Sequence, residues 1–457
     1  MALKSKLIKL LGKQAIADDS ATLQTHSRDK WFAARTPEVV VFAENTLQVS
    51  KLLKFATREK IPVTARGSGV GYVGGCVPSQ GGIVLSLARM NRIKEINAPD
   101  SVAVVEPGVI TGVLQAEARS QGLFYPPDPA SLKECSIGGN IATNAGGPRC
   151  LKYGVTRHYI LGLEVVLADG RILRCGGRTH KNKTGFDLVG LFTGSEGLLG
   201  VVTEATLRLL PLPPARATLS ASYGEFGQSA RAVQEIFGAG FLPSALEIAD
   251  AFTLDSARRF RGKSLIPEAC QAHLLIDLDG QANSVQSEMM ELKKLLKKTG
   301  ALRIKTALGE AACELLWELR RDFSASLKST GLTKLNEDIA VPRGKLVDLV
   351  QFCEALSRKY GYPIACFGHA GDGNIHVNLM AANYHEDQAV YKKVQRALDE
   401  LFKQVIAWGG VITGEHGIGL AKKRWWPQAV STVGRDVHAS LKEALDPLGI
   451  LNPGKFV

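Results

Sequence analysis

The stretch Ile61-Pro62-Val63-Thr64-Ala65-Arg66-Gly67-Ser68-Gly69-Val70-Gly71-Tyr72-Val73-Gly74-Gly75 decides the fold. Its first five residues read as a strand, and the strand runs straight into glycine. A loop so rich in glycine can aim several backbone N–H groups at one anion, and a dinucleotide pyrophosphate is the natural guest. In a Rossmann site that loop must open a helix that caps the phosphates. Here Cys76-Val77-Pro78-Ser79-Gln80-Gly81-Gly82 follows, which cannot sustain a helix. A Rossmann NAD site is therefore excluded. Taken alone, a glycine-rich surface loop is the simpler account.

It is not alone. A second small-residue tract runs Pro126-Pro127-Asp128-Pro129-Ala130-Ser131 and then Ser136-Ile137-Gly138-Gly139-Asn140-Ile141-Ala142-Thr143-Asn144-Ala145-Gly146-Gly147. A third is Phe192-Thr193-Gly194-Ser195-Glu196-Gly197-Leu198-Leu199-Gly200-Val201-Val202-Thr203. Each offers free amides and hydroxyls, which suits a long polar cofactor lying across all three.

Working outward, residues 36–212 alternate short β-rich runs with Gly/Pro turns, and one helix is expected over Thr46–Lys60 with Asn45 or Thr46 as its cap. Pro211-Leu212-Pro213-Pro214 is the clearest boundary. Beyond it, helical patterns at 227–238, 283–299, 309–328, 343–360 and 385–408 alternate with strand candidates at 244–249, 271–278, 302–305, 335–341 and 363–368. That alternation suggests a sheet covered by helices in an α+β unit, and the sheet is expected to be mainly antiparallel. Four parts are expected: an N-terminal helical segment at 1–35, a cofactor domain at 36–212, a substrate or cap domain at 213–408, and a glycine-rich segment at 409–457 returning to the cofactor.

The three tracts in this order resemble the FAD-binding domain of the vanillyl-alcohol oxidase and p-cresol methylhydroxylase (PCMH) superfamily. The resemblance implies that Arg66–Tyr72 wraps the pyrophosphate. It also implies that residues of 126–147 and 196–203 line the rest of the FAD, chiefly Pro127, Asp128, Ser131, Ser136, Gly138, Gly139, Asn140, Thr143, Asn144, Gly146, Glu196, Gly197, Gly200, Val201 and Val202. Some relatives attach FAD through a histidine in the first loop. None stands there in this chain, so non-covalent FAD is implied.

A second signal is Gly368-His369-Ala370-Gly371-Asp372-Gly373-Asn374-Ile375-His376-Val377-Asn378. Gly371–Asn374 is a strong turn signal between two strand candidates. A hairpin there brings His369 and His376 near each other, with Asn378 on the face of His376. The third element is Gly414-Glu415-His416-Gly417-Ile418-Gly419. Two histidines and a carboxylate make an open site for zinc or a similar ion and leave His416 as a base. On spacing alone, hydrogen-bonded histidines in a polar turn are the simpler account.

These two segments resemble signatures of the branch holding the FAD-linked D-lactate, D-2-hydroxyglutarate and glycolate dehydrogenases, as does the closing Leu451-Asn452-Pro453-Gly454-Lys455-Phe456, whose Asn452 is implied at the FAD. The resemblance implies that His369, His376 and Glu415 bind a divalent metal, zinc or manganese, and that His416 is the catalytic base. Leu316-Trp317-Glu318-Leu319-Arg320 is similar too, and implies that Arg320 holds the substrate carboxylate. Ser324 shares the helix face of Arg320, and Lys334 and Asn378 complete the implied substrate set. The expected reaction is oxidation of a small anionic D-2-hydroxy acid to the 2-oxo acid with hydride to the flavin.

Composition narrows the remainder. The chain has 457 residues, 47 of them Gly, and a net charge of +12 that matches an anionic substrate. Its basic residues form no stripe interleaved with aromatics, so nucleic acid is not expected. No apolar run reaches the ~18 residues of a membrane span. The location expected is the cytoplasm, peripheral association with the inner membrane being compatible with it. None of the eight Cys forms a Cys-x-x-Cys pair, so electrons are expected to leave for a separate quinone, cytochrome or electron-transfer protein. Two rival readings are an FAD-binding electron-transfer subunit and a metal-dependent hydrolase. The first leaves His416 and Arg320 idle, and the second leaves the three glycine tracts unexplained.

Overall fold

A computed structural model describes residues 3–261 and 266–457. The chain divides into two compact units. The first holds residues up to Gly146, Gly154–Leu212 and Glu415–Val457. The second holds Gly147–Tyr153 and Pro213–Gly414.

In the first unit, strands Val39–Phe42, Ile83–Ser86 and Val63–Arg66 run parallel in that order, and the short Ile16–Ala17 pairs antiparallel with Val39–Phe42. The central strands are apolar without alternation, as a sheet buried on both faces requires. The expected helix spans Thr46–Glu59, and the Asn45 side chain accepts from the Gln48 N–H at its start. It ends at Lys60 in the left-handed region, φ 54°. Its Leu52 and Leu53 share a core with Leu7 of the N-terminal helix Leu3–Leu11. A second, five-stranded sheet is antiparallel and runs in the order 93–97, 102–105, 201–208, 160–166, 172–176. The C-terminal tail returns to the first sheet: Val63 N–H donates to Ile450 O and Asn452 N–H to Val63 O, both at 2.8 Å.

The second unit is built on one seven-stranded sheet, antiparallel throughout, in the order 303–308, 215–223, 272–280, 245–249, 364–369, 374–381, 333–340. Alternation along Ala215–Tyr223 shows how its faces differ. Ala217, Leu219, Ala221 and Tyr223 point to one side, Arg216, Thr218, Ser220 and Ser222 to the other. Helices Phe226–Gly238 and Ala282–Lys298 pack on the apolar side. Helices Ala251–Arg261 and Glu310–Lys328 pack on the polar side. Polar groups on a covered face need partners there. Asp277, for instance, accepts from Trp317 Nε1 at 2.9 Å, Arg216 Nε at 2.7 Å and the Thr218 hydroxyl.

Sequence reasoning omitted the strand Ala215–Tyr223 and the helices Ala251–Arg261 and Thr432–Leu445. The strand's period-two pattern is complete in the sequence, but it is written in Ala and Ser rather than β-branched residues.

Candidate active site

In the first unit the three glycine tracts meet. A Cβ added at Gly67 would lie 2.4 Å from Ser136 Oγ, so the first loop touches the start of the second tract. Ser136 caps the helix Ile137–Thr143. The third tract is laced to that helix by Gly194 N–H to Ile141 O and Glu196 N–H to Ala142 O, both 2.8 Å. Asn452 ties the first and third tracts together, donating from Nδ2 to Gly75 O at 3.0 Å and Glu196 O at 2.7 Å. These residues suit a bound FAD. A Cβ at Gly139 would meet nothing nearer than Ser136 Oγ at 3.4 Å, so the chain's own packing does not demand glycine there and its backbone is open to a guest.

Several residues assigned to the cofactor from sequence also hold the loops. The Arg66 guanidinium turns inward to Arg28 O at 2.7 Å and Thr25 O at 3.3 Å. Gly69 stands at φ 70°, a left-handed conformation that favours glycine, and a Cβ there would displace the Arg66 guanidinium, whose Nη2 lies 2.0 Å from its position. Asn140 donates to Thr111 Oγ1 at 2.7 Å, and Asn144 Oδ1 accepts from Arg157 N–H at 2.9 Å. Pro127 O accepts from Gln115 Nε2 at 2.8 Å. Gly138 and Gly200 are packing glycines, their Cβ positions 2.6 Å from Pro107 Cβ and Val165 Cγ1 respectively.

The Glu196 carboxylate accepts from Ile418 N–H at 2.7 Å and Gly419 N–H at 2.8 Å. Burial pushes its carboxyl above the usual range, against those two N–H groups and the charges of Lys455 and Lys422. Val73 O takes Leu420 N–H at 2.8 Å. The segment after His416 is thus clamped, and the His416 ring stacks on Tyr72 of the first loop, centroids 5.4 Å apart.

In the second unit, strands Ile364–His369 and Asn374–Ala381 form the expected hairpin. Phe367 pairs with His376 and His369 with Asn374, so both histidines project from one face, their ring centroids 5.6 Å apart. Glu415 follows Gly414 directly. Gly414 is anchored in this unit, its N–H donating to Asp338 O at 2.8 Å, and Thr413 Oγ1 donates to Asp338 Oδ2 at 3.1 Å. His369, His376 and Glu415 offer three ligand atoms within 4.8 Å of one another. Two imidazoles and a carboxylate in that space fit a divalent ion with an open position.

Arg320 and Ser324 project from the helix Glu310–Lys328 onto the same sheet face. The Arg320 guanidinium lies over Phe367, 5.0 Å from the centroid, and its Nε donates to Glu247 at 2.5 Å. Lys334 Nζ donates to Ser324 Oγ at 2.8 Å, and burial, with Lys328 and Arg320 nearby, lowers its pKa to about 7. Asn378 spends its amide N–H groups on Ala365 O and His376 O, and its Oδ1 has no hydrogen-bond partner among the described residues. Sequence reasoning missed Glu247 and Asp338. A lone glutamate inside the apolar run Ala245-Leu246-Glu247-Ile248-Ala249 was the available signal.

The chain belongs to the FAD-linked oxidases. The C-terminal domain of FAD linked oxidases matches residues 212–456, and an FAD binding domain matches 37–176. It is therefore an FAD-binding oxidoreductase of α+β fold. It is 40% identical to the glycolate oxidase subunit GlcD of Bacillus subtilis over 99% of this chain and 96% of that one. It is 33% identical to a D-lactate dehydrogenase of Anaerostipes hadrus over 94% and 92%. A crystal structure of p-cresol methylhydroxylase shares the fold, with a TM-score of 0.80 at 19% identity over 99% and 96% of the two chains. Among the described residues no helix is long and apolar enough to cross a membrane.

Proposed function

We propose that this chain oxidises a small D-2-hydroxy acid of the D-lactate, glycolate or D-2-hydroxyglutarate class to the 2-oxo acid. One observation carries the reading: two cations, Arg320 and a largely buried Lys334, share a sheet face with the His369–His376 pair. Such a face suits a substrate with a carboxylate beside a hydroxyl. The names of the relatives from Bacillus subtilis and Anaerostipes hadrus support the same class.

Arg320 presents the free edge of its guanidinium to the substrate carboxylate, since its Nε is spent on Glu247. Lys334, held by Ser324, adds a second positive group, and Asn378 Oδ1 offers an acceptor. A divalent ion held by His369, His376 and Glu415 would lower the pKa of the substrate hydroxyl. His416 takes the hydroxyl proton at a ring nitrogen. FAD, bound non-covalently, supplies the hydride acceptor. As the C–H bond breaks, its electron pair leaves with the hydride, the O–H pair becomes the C=O bond, and the proton rests on His416.

The electrons then pass to a separate acceptor, a quinone, cytochrome or electron-transfer protein. The naming of the Bacillus subtilis relative as a subunit supports a partner. A cytoplasmic location, with peripheral association at the inner membrane, is part of the same proposal.

The test is His416→Ala. General-base catalysis contributes ~10²–10⁴-fold, so flavin reduction by substrate should slow by about that factor while FAD content stays at one per chain. A variant that reduces flavin as fast as the parent would remove His416 from the reaction.

A further inference from the structure

We propose that Glu247 is a positioning residue that uses one carboxylate to fix His369 as a metal ligand and Arg320 as a carboxylate clamp. The inference rests on the functional reading above and deepens it.

Glu247 lies in the strand Ala245–Ala249, between strands 272–280 and 364–369, and is 1% exposed. Its two oxygens serve different partners. Oε1 lies 2.5 Å from His369 Nδ1, and Oε2 accepts from Arg320 Nε at 2.5 Å. The sheet register sets Glu247 directly opposite His369. Arg320 reaches the same carboxylate from the covering helix. Arg320 is a permanent cation donating to Oε2, so the group beside it stands as a carboxylate.

An ionised carboxylate only accepts, so both partners must donate to it. For His369 this places the proton on Nδ1 and leaves the Nε2 lone pair for a metal. For Arg320 it fixes the Nε edge and turns the other edge to substrate. The rings of Phe323 and Phe367, 5.9 and 5.0 Å from the guanidinium carbon, hold its plane. One buried charge therefore sets the tautomer of a metal ligand and the orientation of the substrate clamp.

Glu247→Gln separates the two roles. Arginine can only donate, so the amide oxygen stays with Arg320. The amide NH2 then faces His369 Nδ1 and can only donate to it, which drives the imidazole proton to Nε2, where a metal would bind. Outer-shell changes of this kind typically cost 10–100-fold in metal affinity. Zinc binding to the FAD-loaded protein is measured by equilibrium dialysis, with flavin content and melting temperature as folding controls. Glu247→Gln is expected to weaken zinc by about 10–100-fold and to leave the KM for the hydroxy acid at saturating zinc within about threefold, as the retained Arg320 contact requires. Glu247→Ala is expected to weaken zinc and to raise KM as well, by about tenfold or more, since Arg320 loses its only charged anchor among the described residues. If the parent binds zinc and Glu247→Gln binds it equally well, the positioning role is overturned while the functional reading stands. If the parent itself binds no zinc, the metal reading falls and this inference falls with it.

Discussion

Replacing Glu196 with Gln should separate a scaffold role from a cofactor role at the first unit's site. The carboxylate is 9% exposed and accepts two backbone N–H groups, from Ile418 at 2.7 Å and Gly419 at 2.8 Å. Gln has the same shape but one acceptor, so one N–H would face an NH2 group. A hydrogen bond to a charged group contributes ~1.5–3 kcal/mol. Against that loss stands relief of the cost of burying the charge, visible in the raised pKa of Glu196. The net effect should be about 1–2 kcal/mol of destabilisation. In a unit of this size 1 kcal/mol shifts Tm by ~2–4 °C, so the melting temperature should fall by ~2–8 °C. His416 lies two residues before Ile418, so loosening the clamp should also misplace the base. If the same free energy is lost from the transition state, flavin reduction slows ~5–30-fold, since 1.36 kcal/mol is tenfold. Calorimetry and stopped-flow reduction read the two effects. Loss of FAD with an unchanged melting temperature would refute the argument, because it would make Glu196 a cofactor contact as the sequence alone suggests.

Two other outcomes follow from the geometry. Gly69→Val should abolish FAD binding, because a β-branched residue is strained at a φ of 70° and its Cβ would displace the Arg66 guanidinium that holds the loop; full flavin content in the purified variant would show that the loop tolerates the change. Lys334 is cationic below its pKa of about 7, so KM should rise as pH climbs through 7, and Lys334→Met should flatten that rise while keeping the flavin; an equal pH dependence in the variant would assign the titration elsewhere.

The hairpin carrying both histidines was legible because Gly371-Asp372-Gly373-Asn374 is a local turn signal between apolar runs. The helix Thr46–Glu59 was legible from its cap and spacing. Local patterns of that kind survive in a linear sequence. Glu247 did not, because its meaning lies in partners 73 and 122 residues away. Glu196 was visible as part of a cofactor tract, yet its carboxylate serves residues more than 200 positions on. Arg66 was placed at the pyrophosphate by the resemblance of its loop, and three neighbours that no local pattern announces draw its side chain inward: Thr25 O, Arg28 O and Cys76 Sγ. Local turns and caps were therefore legible in the sequence, whereas partners brought together across the fold were not.

The central claim is that bound FAD accepts hydride from a 2-hydroxy acid. Anaerobic mixing of the purified protein with D-lactate, L-lactate, glycolate and D-2-hydroxyglutarate, read as loss of the visible flavin absorbance, tests it directly. Bleaching by at least one of D-lactate, glycolate and D-2-hydroxyglutarate, and by L-lactate far more slowly or not at all, is the expected result. A flavin that dithionite reduces but none of these acids bleaches would contradict the account.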